Sequence, residues 1–348
     1  PWALVGHIWI GTPVMQAAAW IGPVGLSLLT ALSAALPVLG RGTMVRAGLC
    51  AVAAVVLGAT WLGGSARLAA PDPARDPAIR VRLIQPDADQ RLKWRGDMWQ
   101  MFLDRLVAAT AEPAEKPLDL IVWPETAVPF LLDRAGPFLT GELAVAAQGV
   151  PVATGIQRAE GSRYLNSLAV IDGGGNVTAL YDKWHLVPFG EYVPLGDLVA
   201  RFGLTAFAAQ DGAGYTAGPG ARVLDLGRAG KVLPLICYEA VFPQDLNAAP
   251  ERADWILQIT NDGWFGNLAG PYQHLAQARL RAVEQGLPLL RDANTGVTAV
   301  IDAKGRILSS LPLNAQGWFD IDVPPSLAPT FYSRTGDSPV AMLLLFLI

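Results

Sequence analysis

The chain has 348 residues, 52% of them apolar and 16% charged, with a formal net charge of −4. That apolar share with so few charges exceeds an ordinary soluble domain, and a slightly acidic chain without a basic run offers no electrostatic footprint for nucleic acid. Two cysteines in unlike surroundings, Cys50 and Cys237, exclude a disulfide framework.

Residues 1 to 20 carry Trp2, Trp9 and Trp20 among small and apolar side chains, a density that fits a membrane–water interface. Ile21 to Leu39 holds no charge, and Val45 to Gly63 is nearly free of it. Each stretch is about long enough to cross a bilayer. Two spans are therefore expected, at about 21–39 and 45–63, in a membrane region covering residues 1–65. Two buried core helices are the alternative. Arg41 and Arg46 flank the tight connection, which the positive-inside rule assigns to the cytoplasm. The segment after Gly64 then emerges on the opposite side, the periplasm in a Gram-negative host. Cys50 falls within the second span as a lipid-facing or packing residue. The chain starts at Pro1 and stops inside an apolar run at Ile348, so it reads as a piece of a longer protein.

Pro71-Asp72-Pro73-Ala74-Arg75-Asp76-Pro77 marks a linker, taken as residues 66–78. Beyond it, short apolar runs alternate with longer helical patterns. Strands are expected at Ile79–Ile84, Leu118–Trp123, Val152–Ile156, Ser167–Ile171, Val232–Ile236, Trp255–Ile259 and Val297–Ile301. Helices are expected at Asp97–Thr110, Pro137–Gln148 and Pro271–Gln285, with another starting near Phe242. Such alternation predicts an α/β layered domain over residues 79–333. Gly173-Gly174-Gly175 reads as a hairpin turn, because it lacks the Lys-Ser/Thr of a phosphate loop. An apolar stretch from about 338 to 348 reads as the start of a further span.

Three stretches carry chemistry. Cys237 follows the apolar run Val232–Ile236, at a strand end where a side chain can enter a cleft. It is a candidate nucleophile, or else a small core thiol. Glu125, in Trp123-Pro124-Glu125-Thr126, also sits at a strand end, with Pro124 stiffening the turn. It is a candidate general base, or a solvated loop carboxylate. Lys183 lies among aromatic and apolar residues in the run Tyr181 to Pro194. A buried ammonium needs an anion, so Lys183 could hold a carboxylate or a developing oxyanion; a surface lysine is the alternative. A thiol needs a base or a cation to ionise. Glu125 would supply the base and Lys183 the positive charge. Glu191 and Glu239 would orient Lys183 or assist proton transfer, and the Tyr238 backbone N–H is a natural second oxyanion donor. His185 has no partner at metal-ligand spacing, and no metal site or cofactor is expected.

Glu125 in WPET, Lys183 in YDKWHLVPFGE and Cys237 in CYE resemble the Glu-Lys-Cys triad of the nitrilase, or carbon–nitrogen hydrolase, superfamily. HLVPFGEYVP, ICYE, the run Asn261-Asp262-Gly263-Trp264-Phe265-Gly266 and the stretch from Gln273 through Asn294-Thr295-Gly296-Val297-Thr298 narrow the resemblance to the apolipoprotein N-acyltransferase family. Each motif alone is weak; their order and spacing together are specific. The resemblance covers nearly the whole chain and implies an αββα nitrilase-like sandwich attached to transmembrane helices. The family has more N-terminal spans than this chain. It implies ping-pong transfer of an acyl chain from a phospholipid, typically phosphatidylethanolamine, through a thioester on Cys237. The acceptor it implies is the N-terminal amine of a diacylated apolipoprotein. Glu191 then matches a further essential glutamate, Tyr238 and Glu239 the neighbours of the cysteine, and Asn166 a supporting position. Trp264 and Phe265 would line the acyl or headgroup site, or else pack as core aromatics. Phe202, Leu204 and Phe207, within Gly196 to Gly220, would suit a mobile apolar lid or an ordinary surface loop. Two other functions share these features: a membrane-tethered amidase or nitrilase that gives its thioester to water, and a non-catalytic lipoprotein-binding module.

Overall fold

A computed structural model describes residues 2–194 and 214–347. Phe202, Leu204 and Phe207, expected in an apolar lid or a surface loop, lie outside the described residues.

Two long apolar helices come first, α1 (Ala18–Leu39) and α2 (Thr43–Ala69). Both are long and apolar enough to cross a membrane, and only 6% of the α2 window is buried within the protein. Cys50 lies exposed on α2. The helix α1 is broken at Gly22, whose φ of 61° is not helical. Pro23 follows and removes a backbone donor there. The first turns of α1 dock on the rest of the chain through Ala18, Ala19 and Leu26, which pack with Leu280 and Val283.

Twelve strands follow among the described residues, in two six-stranded sheets. The first sheet has the order β12-β1-β2-β3-β4-β5. Its strands are β1 (Arg80–Gln85), β2 (Leu120–Val122), β3 (Val152–Glu160), β4 (Arg163–Ile171), β5 (Val177–Asp182) and β12 (Gly317–Asp322). The second has the order β11-β10-β9-β8-β7-β6. It contains β6 (Leu224–Asp225), β7 (Lys231–Ile236), β8 (Trp255–Thr260), β9 (Leu289–Ala293), β10 (Thr298–Ile301) and β11 (Ile307–Leu311). At the centres of the sheets β1, β2 and β3 run parallel, as do β7, β8 and β9.

Side-chain alternation along the strands builds the layers. Val81, Leu83, Leu120 and Val122 face a shared core with Val232, Ile236, Leu257 and Ile259 of the other sheet. Their sequence neighbours Ile84, Ile121 and Trp123 pack outward, against Leu103 and Leu106 of α3 (Trp99–Ala111). On the other flank Leu233, Leu235 and Ile256 meet Leu275, Ala278 and Ala282 of α4 (Gly270–Gln285). The result is an αββα sandwich. Two short helices close the described chain, α5 (Phe331–Thr335) and the apolar α6 (Ser338–Leu347).

Every strand expected from the sequence is present, within a few residues at its ends. Five were missed. β5, β11 and β12 have at most one fully buried residue each and carry no continuous apolar run, β6 is two residues long, and Arg291 and Asp292 interrupt β9. The helix expected at Pro137–Gln148 is instead three pieces. Leu139–Leu143 is π-helical between short α segments at Gly136–Phe138 and Ala144–Ala147. Gly141 within the π stretch weakens α-helical preference there. After Cys237 a 3-10 turn (Cys237–Val241) precedes the short helix Pro243–Asn247. Gly173 to Gly175 forms the β4–β5 turn.

Candidate active site

Four strands end on one pocket. Glu125 lies three residues past β2, Lys183 directly follows β5, Cys237 directly follows β7 and Asn261 directly follows β8. Together with Asn166 and Glu191 they line a cavity of about 460 Å³. Ligand sites at the carboxyl ends of parallel strands are a general feature of layered α/β architecture.

Cys237 is 5% exposed and adopts φ 51°, in the left-handed region. A non-glycine residue there costs about 1–3 kcal/mol and persists only when its surroundings enforce it. Burial pushes the thiol well above its ordinary pKa; Glu125 adds to the rise and Lys183 opposes it. The resting sulfur is therefore protonated and needs a base to become a nucleophile.

Lys183 is 1% exposed. Burial works against its charge, but Glu191 and Glu125, with Cys237, outweigh that and hold its pKa above the usual value. Its Nζ is 2.8 Å from Glu191 Oε1 and 3.6 Å from Glu125 Oε1. Asn166 joins the two carboxylates: its Nδ2 donates to Glu125 Oε1 at 2.8 Å and to Glu191 Oε1 at 3.1 Å. Glu125 Oε2 accepts from the Asn261 backbone N–H at 2.8 Å, and Glu191 Oε2 from that of Val187 at 2.8 Å. Two carboxylates, one ammonium and one thiol thus share one buried compartment.

The Glu125 turn is set by sterics as well as by Pro124. Thr126 has φ 48°. Lys93 is buried beneath the turn and donates to Thr126 Oγ1 at 3.0 Å and to the Glu125 carbonyl at 3.4 Å. Burial lowers its ammonium to about 8, with Glu125 opposing the fall.

Glu239 does not reach Lys183 through a hydrogen bond. It ties the β7 end to the Lys183 segment instead. Its Oε2 accepts from the Ile236 N–H at 2.7 Å and the Tyr181 hydroxyl at 2.9 Å, and its Oε1 from the Trp184 N–H at 2.9 Å. The side chain of Tyr238 packs edge-on against His185 and Phe242. His185 Nδ1 lies 2.8 Å from Asp245 Oδ2. Trp264 is half exposed at the pocket mouth; Phe265 also lines it and packs on Trp2 and His274.

Sequence reasoning missed several pocket residues: Gln90, Arg91 and Trp94 on the segment after β1, Gln157 on β3, Tyr215, and Asn261. Asn261 had a signal, since it follows an apolar run as Cys237 does. The others had none. Among the described residues no cluster of His, Cys, Asp and Glu has the makings of a metal site.

Residues 80–330 match the Carbon-nitrogen hydrolase family. This chain belongs to that family. Curated relatives within it are named apolipoprotein N-acyltransferase. That from Rhodopseudomonas palustris is 38% identical over 99% of this chain and 67% of its own length. That from Brucella melitensis is 38% identical over 100% of this chain and 68% of its own. That from Allorhizobium ampelinum is 40% identical over 94% and 64%. The chain thus spans about two thirds of the length of these relatives. Its fold is similar to the crystal structure of an amidase from Nesterenkonia sp., with TM-score 0.54 and 21% identity over 78% of this chain and 98% of the amidase. A variant of that amidase, with TM-score 0.52 and 19% identity over 79% and 100%, carries the acetamide moiety of fluoroacetamide on its active-site cysteine.

Proposed function

We propose that this chain is the catalytic part of an apolipoprotein N-acyltransferase of a bacterial inner membrane. In this reading residues 79–333 form the catalytic domain, on the periplasmic face. The membrane region spans 1–65, the linker 66–78, and residues from about 338 begin a further membrane helix. The observation that carries the reading is the thiol Cys237 in one buried pocket with Glu125 and Lys183, in a chain aligned almost end to end with relatives of that name. The exposed apolar helices α1 and α2 support it, because both substrates would be lipid-anchored.

The first half-reaction loads the sulfur. Glu125 takes the Cys237 proton, and the thiolate adds to the ester carbonyl of a phospholipid such as phosphatidylethanolamine. The negative oxygen that forms meets the Lys183 ammonium and the Tyr238 N–H. Collapse breaks the acyl C–O bond, Glu125 returns the proton to the departing glyceryl oxygen, and a thioester remains. In the second half the N-terminal amine of a diacylated apolipoprotein adds to the thioester. Glu125 takes a proton from nitrogen, and collapse breaks the C–S bond and returns that proton to sulfur. Glu191 and Asn166 hold Lys183 and Glu125 in register, Glu239 braces the nucleophile's turn, and Trp264 and Phe265 border the acyl chain.

The test is transfer of a labelled acyl group by the full-length enzyme to a diacylated lipopeptide. A triacylated product supports the proposal. Free fatty acid alone supports the membrane-tethered hydrolase instead. Cys237→Ala abolishes the acyl-enzyme in intact mass spectra, and Cys50→Ser leaves it; an unchanged adduct in the alanine variant would remove Cys237 from this role.

A further inference from the structure

Below the nucleophile lies a buried polar network that the Glu125–Lys183–Cys237 set does not account for. The backbone carbonyl of Cys237 has two nitrogen neighbours, Gln258 Nε2 at 3.2 Å and His274 Nε2 at 3.0 Å. Gln258 Nε2 also lies 3.1 Å from His274 Nε2. His274 Nδ1 faces Asp262 Oδ1 at 2.9 Å, and Arg291 pairs with the other oxygen of Asp262. All four side chains are sealed from solvent, at 0–1% exposure. They come from three elements: Gln258 on β8, with Asp262 just past its end, His274 on α4 and Arg291 on β9.

We infer that Gln258, His274 and Asp262 form a positioning clamp that aims the Tyr238 N–H at the reacting oxygen. The Cys237 carbonyl and the Tyr238 N–H belong to one peptide unit. A trans peptide is planar, so its C=O and N–H point in opposite directions. Gripping the oxygen from below fixes the N–H above. Tyr238 sits in the first turn of the 3-10 helix Cys237–Val241, where N–H groups have no intrahelical acceptor. A donor on the carbonyl also polarises the peptide and strengthens its N–H as a donor.

Each residue has a part. Asp262, fixed by Arg291, faces the ring of His274 at Nδ1. His274 Nε2, at 3.0 Å, and the Gln258 amide nitrogen, at 3.2 Å, both stand against the Cys237 carbonyl oxygen. Asp262 sets the ring, and the ring and Gln258 together set the peptide. The space for Asp262 is itself provided for, since a Cβ on Gly296 would lie 2.4 Å from Asp262 Oδ2.

The inference rests on Cys237 being the nucleophile of the proposed reaction, and its test separates the two. Two rates are measured on the detergent-solubilised full chain. One is the p-nitrophenolate burst with p-nitrophenyl butyrate, in which Cys237 adds to a carbonyl and an oxyanion forms. The other is alkylation of Cys237 by iodoacetamide, a direct displacement that forms no oxyanion. Gln258→Met keeps the size of the side chain and removes both donors. His274→Leu removes the ring that stands against the carbonyl. In each variant the ratio of burst rate to alkylation rate is expected to fall about 10- to 100-fold, somewhat less than deletion of an oxyanion donor brings. A ratio within about threefold of the parent's overturns the clamp, because both rates then report only damage to the turn. A burst that survives in Cys237→Ala would sink the proposed function itself, whatever the ratio.

Discussion

The Lys183 ammonium makes its tight ion pair with Glu191, at 2.8 Å, and its longer one, at 3.6 Å, with the carboxylate expected to act as base. That asymmetry has a chemical use. A base clamped by a full ion pair is a weak base, and an ammonium without any partner in this pocket would lose its proton. Glu191 keeps Lys183 charged, and the ammonium stands off the Glu125 carboxylate, whose oxygens accept from Asn166 and Asn261 instead. Glu191→Gln leaves Glu125 as the sole carboxylate for Lys183 and pulls the pair together. Thioester formation should slow by about 10- to 100-fold, the scale of a weakened general base. Single-turnover acylation followed by intact mass measures it, and an unchanged rate would remove Glu191 from this role.

Cys237 gives a pH prediction whose sign is fixed. Its pKa lies above the ordinary thiol value, through burial first and the Glu125 charge second. The thiolate is then the minor form through pH 7 to 9, and alkylation by iodoacetamide should rise about tenfold per pH unit across that range. Glu125→Gln removes the negative neighbour, so the thiol pKa falls and alkylation at pH 8 becomes faster. Acyl transfer in the same variant becomes slower by about 10²- to 10⁴-fold, because the base is gone. Opposite movement of the two rates is the expected result. An acyl-transfer rate equal to the parent's would remove Glu125 from the role of base.

Much of this arrangement could be read in the sequence, for one reason. Cys237 sits at the end of a strand that is apolar at every buried position, and the strand before Glu125 is similarly apolar, so both runs stand out. Lys183 was legible only from its aromatic setting and the family motif. The strand that delivers it, β5, is half exposed on its edge and has no apolar run. The partners of Glu239 could not be read at all. Expected beside Lys183, it instead receives hydrogen bonds from Ile236, three residues before it, and from Tyr181 and Trp184, which the stacking of the two sheets brings over it. The wall formed by Gln157 and Tyr215 is likewise a product of tertiary packing, with residues 58 positions apart sharing a hydrogen bond.

Gly155 on β3 tests how closely the base is held. A Cβ there would lie 2.4 Å from the Pro124 carbonyl oxygen, 2.5 Å from Glu125 Cα and 2.6 Å from Thr126 N. All three are backbone atoms, so no side chain can swing aside. Gly155→Ala must push the turn that carries Glu125. Overpacking of this kind costs about 1–3 kcal/mol, and a displacement near 1 Å at a catalytic group costs about 10²-fold in rate. The variant should fold, unfold at a lower temperature and form thioester about a hundredfold more slowly. Parental acylation would show that the position of Glu125 is not limiting.

The last prediction concerns the joint between α1 and the sandwich. Gly22 breaks α1 with φ 61°, and a Cβ there would fall 2.0 Å from the ring of Tyr332 on α5. Tyr332 is fully buried, so its ring has nowhere to go. The Ala variant meets both a disfavoured backbone angle and a steric overlap, of about 1–3 kcal/mol each. Gly22→Ala should therefore loosen the docking of α1 and lower the thermal unfolding midpoint in detergent by several degrees. None of the residues that line the pocket lies on α1 or α5, so acylation per folded molecule should match the parent. If acylation falls while the midpoint holds, α1 acts on the pocket, and the site depends on its apolar N-terminal helices.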